Sequence, residues 1–255
     1  MNWIVCVWLL AALPQEPKSP AEALLDKMED AQVGDTDLSE IRSWRYSGIV
    51  EFAGMAGLEG RIFEVYERPL KAYSRIELPT GTMEDGTDGE VCWEKNELQG
   101  VMIHEGSPAA LKLRGYRSMM MRPWKESWKG AKLLGEVELD GRPHYKLQLT
   151  PHVGDPDTVW VDQETYLPSR TELIVDSAPE PGMRVTVQIT YGDWKKIDGI
   201  QYYTRRRIKV GAVEMIQRYE KIETNVEIED GQLALPEQVK QELERSKQKD
   251  GNGDG

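Results

Sequence analysis

Val65 to Leu78 reads V-Y-E-R-P-L-K-A-Y-S-R-I-E-L and Asp88 to Trp93 reads D-G-E-V-C-W, with a stretch rich in Gly, Asp and Thr between them. Pro69 has no amide proton for a ladder, so it marks a strand end, an edge or a bulge, and two strands meet at Arg68-Pro69. Asp88-Gly89 favours the positive dihedrals of a tight turn and feeds a third strand through Cys92 and Trp93. The rest of the chain reads as more sheet added to this core, with a few helices to cover it.

Upstream, Trp44, Tyr46, Gly48, Val50 and Phe52 alternate with polar residues and Ile49, the period of a strand with one buried face. Gly54 to Gly60 supplies a turn. Arg61 to Glu67 and Leu70 to Leu78 follow as strands, and Pro79 to Gly89 as a flexible hairpin loop. Before them, Ala21, Leu24, Leu25 and Met28 share one face of a helix over Ala21 to Asp30, opened by Pro20. Downstream, Glu90 to Lys95 and Gly100 to His104 form a hairpin. Ser107 to Gly130 lacks alternation and predicts a helix over Pro108 to Met120, then a short second helix with Trp124 and Trp128 on one face. Strand periodicity resumes at Lys132, with tight turns at Asp140-Gly141 and Asp198-Gly199, and continues to Ile222. Leu233, Leu235 and Pro236 close the domain. Ten or eleven consecutive antiparallel strands exceed what a twisted open sheet carries without curling. The predicted fold class is therefore mainly β: a single strongly curved antiparallel sheet, a half-open β-barrel, with helices covering the concave face.

Trp3 to Leu13 is an unbroken apolar run of 11 residues. A spanning helix needs about 20, so the run suits a signal peptide over 1–13, with a buried N-terminal strand or helix as the alternative. Residues 14–20 then form a linker, 21–239 one domain and 240–255 a disordered acidic, Gly-rich tail. Removal of the signal leaves Cys92 as the sole cysteine, so no disulfide is expected and the thiol reads as buried and inert. The net charge of −12 and pI near 4.9 disfavour nucleic acid and anionic membrane surfaces as partners. No stable membrane anchor is expected, and the localisation implied by a signal is extracytoplasmic.

Catalytic signatures are scarce. H-E-x-x-H, phosphate-loop, G-x-S-x-G and Cys-x-x-Cys motifs are missing, and the three histidines are isolated, so neither an enzyme, a metal site nor a cofactor is expected. Asp250 to Gly255 matches the first half of a calcium loop without its closing Glu. Arg205-Arg206-Arg207 reads as a surface ladder paired with acids, at least one side chain facing away from the other two. Eight Trp and ten Met against two Phe give an apolar inventory suited to repacking. Met119, Met120, Met121, Trp124 and Trp128 concentrate it in the interior helical segment, where ordinary packing accounts for it equally well.

Glu67-Arg68-Pro69, an extended strand and Asp88-Gly89-x-x-x-Trp93 together resemble the LolA-like family of periplasmic lipoprotein carriers. Leu167-Pro168, Tyr191-Gly192-Asp193-Trp194 before Ile197-Asp198-Gly199, and Leu235-Pro236 extend the resemblance over Ala21 to Val239. It implies a half-barrel whose apolar cavity shelters the acyl chains of a lipoprotein or other lipid in the periplasm. It also implies exchange with inner- and outer-membrane transfer proteins. Arg68 matches the arginine that holds the family's helical lid shut through backbone carbonyls. The expected ligand-binding set is Arg68, Trp93, Met119, Met120, Met121, Trp124 and Trp128, on a monomer. A second reading is an envelope sensor of the same shape that binds a protein partner or lipid. The loop Pro79 to Gly89 and the Met-Trp segment depart from the family pattern.

Overall fold

A computed structural model describes residues 18–55, 57–176 and 184–251. The signal-peptide reading of 1–13 and the completion of the calcium-like tail lie outside these residues. The first meander contains β1 (Ser43–Ala53), β2 (Glu59–Glu67), β3 (Lys71–Leu78), β4 (Gly81–Thr87), β5 (Cys92–Asn96) and β6 (Gly100–His104). The second contains β7 (Trp128–Leu139), β8 (Arg142–Pro151), β9 (Asp157–Asp162), β10 (Pro168–Asp176), β11 (Arg184–Ile197), β12 (Ile200–Val210) and β13 (Val213–Thr224). Helices α1 (Pro20–Val33), α2 (Gly106–Met119) and α3 (Glu237–Gly251) complete the described elements.

All 13 strands form one antiparallel sheet, in the order β6-β5-β4-β3-β2-β1-β13-β12-β11-β10-β9-β8-β7. It is not closed into a barrel. Each meander pairs only neighbours in sequence, and the β1–β13 pair welds the two together. The weld demands close backbone approach: a Cβ on Gly48 would lie 1.9 Å from the Arg218 carbonyl oxygen, at the register shift between Ser47 and Gly48. The connection from β6 to β7 therefore joins the sheet's two outer edges, and α2 lies on that connection.

Local chemistry sets the helices. Ser19 and Glu22 form a reciprocal capping box around Pro20, which opens α1, and Gly34 at φ 61° closes it. α2 ends where Met121 takes φ 50° and reverses the chain. Two buried clusters result. One spreads over β1–β3, β12 and β13 beneath α2, from Trp44 and Tyr66 to Met120. The other, around Leu25, Trp124, Leu147 and Val161, lies between α1 and β8–β9.

Four expectations need correction. Pro79 to Gly89 is not a loop: it contains β4, paired in register with β3 (Ile76 opposite Met83) and with β5 (Gly86 opposite Trp93). Gly86 is required there, because a Cβ would lie 2.4 Å from the Ala72 carbonyl oxygen and 3.1 Å from the Trp93 ring. Trp124 and Trp128 do not share a helix face; a single 3-10 turn spans Trp124–Glu126 and Trp128 already begins β7. The segment from Lys240 to Gly251 is helical, and α3 packs on β6. It faces the outer side of β4–β6, where Gln238, Gln241 and Arg245 share a groove with Thr82, Lys95 and Val101. Finally, the described strands number 13 rather than ten or eleven.

Candidate functional site

Between the two clusters the sheet and its cover separate, leaving a cavity of about 280 Å³. Its floor is the inward face of β8–β12, including Leu149, Val159, Leu173, Ile189 and Tyr191. Its roof is α1 through Met28 and Val33, α2 through Leu111 and Ser118, and the link after α2 through Met121, Trp124 and Trp128. The lining is mostly apolar, as a small-molecule site requires, with polar groups confined to a few positions.

Those positions are tied down. The Arg114 guanidinium donates to Asp157 Oδ1 at 3.0 Å and to the Val153 carbonyl at 2.9 Å, and Trp128 Nε1 donates to Asp157 Oδ2 at 2.6 Å. Burial pushes the Asp157 carboxyl above its ordinary pKa, with Arg114 opposing that shift. Burial likewise raises Glu29, which accepts the Trp124 backbone amide. Arg122 is paired with Glu126 at 2.7 Å. Trp124 Nε1 donates to Asp26 of α1 at 3.2 Å, so α1 and the link after α2 are fastened together.

Of the expected ligand-binding residues, Met121, Trp124 and Trp128 line this cavity. Met119 and Met120 are instead buried in the cluster over β1–β3, β12 and β13. Tyr46 OH donates to the Met119 carbonyl at 3.1 Å, and Tyr203 OH reaches Met119 Sδ at 2.7 Å. Arg68 extends from the end of β2 and donates through Nη2 to the Met120 carbonyl at 3.3 Å, its guanidinium 5.2 Å from the Trp44 ring centre. It makes one lid carbonyl contact rather than several, and Tyr46 supplies the next. Burial lowers the Arg68 pKa, assisted by Arg122 nearby.

Trp93 lies on the other face of the sheet. Successive strand residues alternate sides, and Cys92 points inward, its thiol 3.9 Å from the Ala109 carbonyl of α2. Trp93 therefore points outward, against Tyr73 with ring centres 6.3 Å apart. The Cys92 thiol is buried and its pKa is raised by that burial. His144 and His152 do not meet: the first pairs with Ser169 Oγ at 2.8 Å, the second with the Lys125 carbonyl at 3.0 Å. Among the described residues no three His, Cys, Asp or Glu side chains converge as a metal ion would need.

Residues that sequence reasoning passed over hold α2 in place. Lys112 pairs with Glu94 at 3.0 Å, and Tyr116 OH donates to Asp85 at 2.6 Å. Beneath the last turn of α2, Arg206 pairs with buried Glu64 at 3.2 Å and Tyr219 OH donates to Glu64 at 2.8 Å. Arg205 and Arg207 face away, toward Asp193 and Glu214. The arginine run is thus a surface ladder at two positions and an interior ion pair at the third. Asp157 and Glu64 carried a readable signal, since each shares strand parity with inward apolar neighbours.

A curved antiparallel half-barrel with helices closing an apolar cavity defines a class of binding fold. The fold is LolA-like. Its structure is similar to a LolA superfamily protein from Nitrosomonas europaea, at 15% identity and a TM-score of 0.57, covering 86% of this chain and 99% of the other. A DUF1329 family protein from Desulfovibrio piger matches at 16% identity and a TM-score of 0.55, over 84% of this chain and 97% of its own. A putative outer membrane lipoprotein-sorting protein domain from Vibrio parahaemolyticus matches at 9% identity and 0.54, over 84% and 96%. No protein-family model and no curated protein matches the sequence. Among the described residues no helix is long and apolar enough to cross a membrane.

Proposed function

We propose that this chain is a periplasmic carrier that shelters acyl chains of a lipoprotein or other lipidated molecule and passes them toward the outer membrane. The carrying observation is the apolar cavity of about 280 Å³ enclosed between β8–β12 and the two inward helices. Each methylene moved from water into such a site contributes roughly 0.8 kcal/mol, so even a short chain is held firmly. Release then depends on moving the cover. α2 is the lid in this reading, and Arg68 and Tyr46 are its latch, because both donate to carbonyls at its last turn. The charged groups lining the cavity are engaged with protein partners, which supports binding without turnover. Native mass spectrometry of the exported protein tests the reading: bound acyl species are expected, and an empty protein that captures no lipid on challenge overturns it.

A further inference from the structure

The sheet ends on two edges that are finished differently. β6 is 5 residues long and α3 packs on it. β7 is 12 residues long, and among the described residues no strand pairs with its outer side. Such an edge is a template for another strand, and charge or a bulge ordinarily blunts it. β7 carries both, arranged so that they favour one partner. Its register shifts between Leu133 and Gly135: Leu133 lies opposite Leu147, buried on the inward face, and Gly135 opposite Lys146, which faces out over the Trp160 ring. Alternation counted back from Gly135 puts Leu134 inward as well. Two consecutive leucines therefore share one face at an open edge, 36% and 44% exposed. The same count applies at the shift between Trp128 and Gly130. Gly130 lies opposite outward Thr150, so Lys129 points inward, as do Glu136 and Glu138 opposite Tyr145 and Pro143.

We propose that β7 is a homodimer interface, pairing antiparallel with β7 of a second copy about a two-fold axis between Leu133 and Leu134. Charge complementarity selects this occupant. The inward face reads Lys129, Ala131, Leu133, Leu134, Glu136, Glu138, an order antisymmetric about the leucines. In the two-fold register Leu133 faces Leu134 of the second copy, Ala131 its Glu136 and Lys129 its Glu138, with every pair on the same side of the joined sheet. Four leucines then meet at the axis and two Lys–Glu pairs flank them. Parallel pairing would set lysine on lysine, and an unrelated strand gains nothing from the antisymmetry. Lys129 and Glu138 are exposed and, among the described residues, make no ion pair within the chain, whereas ladders elsewhere on the sheet do, as Arg61 with Glu220 and Arg207 with Glu214. The monomer implied by the family resemblance is then the dilute form. Lys129 to Glu138 do not line the cavity, so the interface stands independently of the acyl-chain reading.

Sedimentation equilibrium of the full chain from micromolar to submillimolar concentration tests the interface, with circular dichroism as the fold check. A monomer–dimer equilibrium is expected, and Leu134→Glu should leave only monomer. Lys129→Glu and Glu138→Lys should each weaken dimerisation about tenfold or more, because each turns two symmetry-related attractions into repulsions. The two substitutions together should restore it. A chain that stays monomeric throughout overturns the proposal. So does a dimer that survives Leu134→Glu or either single charge reversal, or a double variant as weak as the singles. Should Leu134→Glu fail to fold, the charge-reversal series decides alone.

Discussion

The two meanders are built from the same strand geometry, yet one is filled and the other is hollow. In the first, and on β13 welded to it, inward tyrosines interlock: Tyr46 meets Tyr66 with ring centres 5.7 Å apart and Tyr219 of β13 at 5.3 Å, and Tyr66 meets Tyr116 of α2 at 6.2 Å. Their hydroxyls end on fixed acceptors such as the Met119 carbonyl, Asp85 and Glu64. In the second, inward positions of β10 and β11 carry Leu173, Val187 and Ile189, which have no directional partner. A directional group tolerates one neighbour in one place, whereas an aliphatic wall accepts whatever apolar surface arrives. Side-chain chemistry at equivalent positions therefore decides where α2 is bolted down and where a guest can sit.

The largest expected effect tests the bolted side. Arg206→Ala strands Glu64 in a fully buried site and should lower unfolding free energy by about 3–5 kcal/mol in urea titration; a loss below 1 kcal/mol would remove this pair from the comparison. Next, matched truncations contrast the two meanders directly. Tyr66→Ala opens a void in a packed cluster and should cost about 3–5 kcal/mol, while Leu173→Ala, half-buried beside existing empty space, should fall at the low end, about 2 kcal/mol. Equal losses would show that the cavity wall is as tightly packed as the core.

A smaller effect concerns pH. Glu94 is held down at about 2, first by the His104 hydrogen bond and then by Lys112 against the opposing burial. A carboxyl depressed in the folded state stabilises the fold above its ordinary pKa of 4.5, and that stability disappears as pH falls toward 2. Glu94→Gln should therefore flatten the acid limb of melting temperature against pH, removing on the order of 1–2 kcal/mol near neutrality after allowance for solvent screening. Smallest in stability but largest in carrier behaviour is Arg68→Leu, expected to cost about 1 kcal/mol. By favouring the open lid that holds the chain over the closed lid that expels it, the substitution should slow release of a bound acyl probe in stopped-flow chase; unchanged uptake and release would exclude Arg68 as latch.

Much of the sheet was legible because its inward positions are aromatic or branched: Trp44 to Phe52 and Val213 to Ile222 display their period openly. β4 was hidden because Glu84, Asp85 and Gly86 resemble a turn, and only pairing on both sides makes them a strand. The Met-Trp segment was located, but its division between core and cavity was not. That division follows from the reversal at Met121, a dihedral no periodicity encodes. The resemblance puts Trp93 in the ligand-binding set, although strict alternation from Cys92 sends it outward. Arg114 and Asp157 lie far apart in sequence, so their pairing emerges only when α2 crosses the sheet.

The weld between β1 and β13 also orders events in time. Trp44 pairs with Thr224, so the contact that unites the sheet joins opposite ends of the domain, whereas every other ladder closes between consecutive strands. Local hairpins form quickly and distant pairings slowly, because the intervening chain must first be brought around. The meanders should thus assemble early as two half-sheets, with an open edge left on β1 until the last strand is synthesised and docked. A chain truncated before Val213 would keep that edge bare and prone to pairing with other chains.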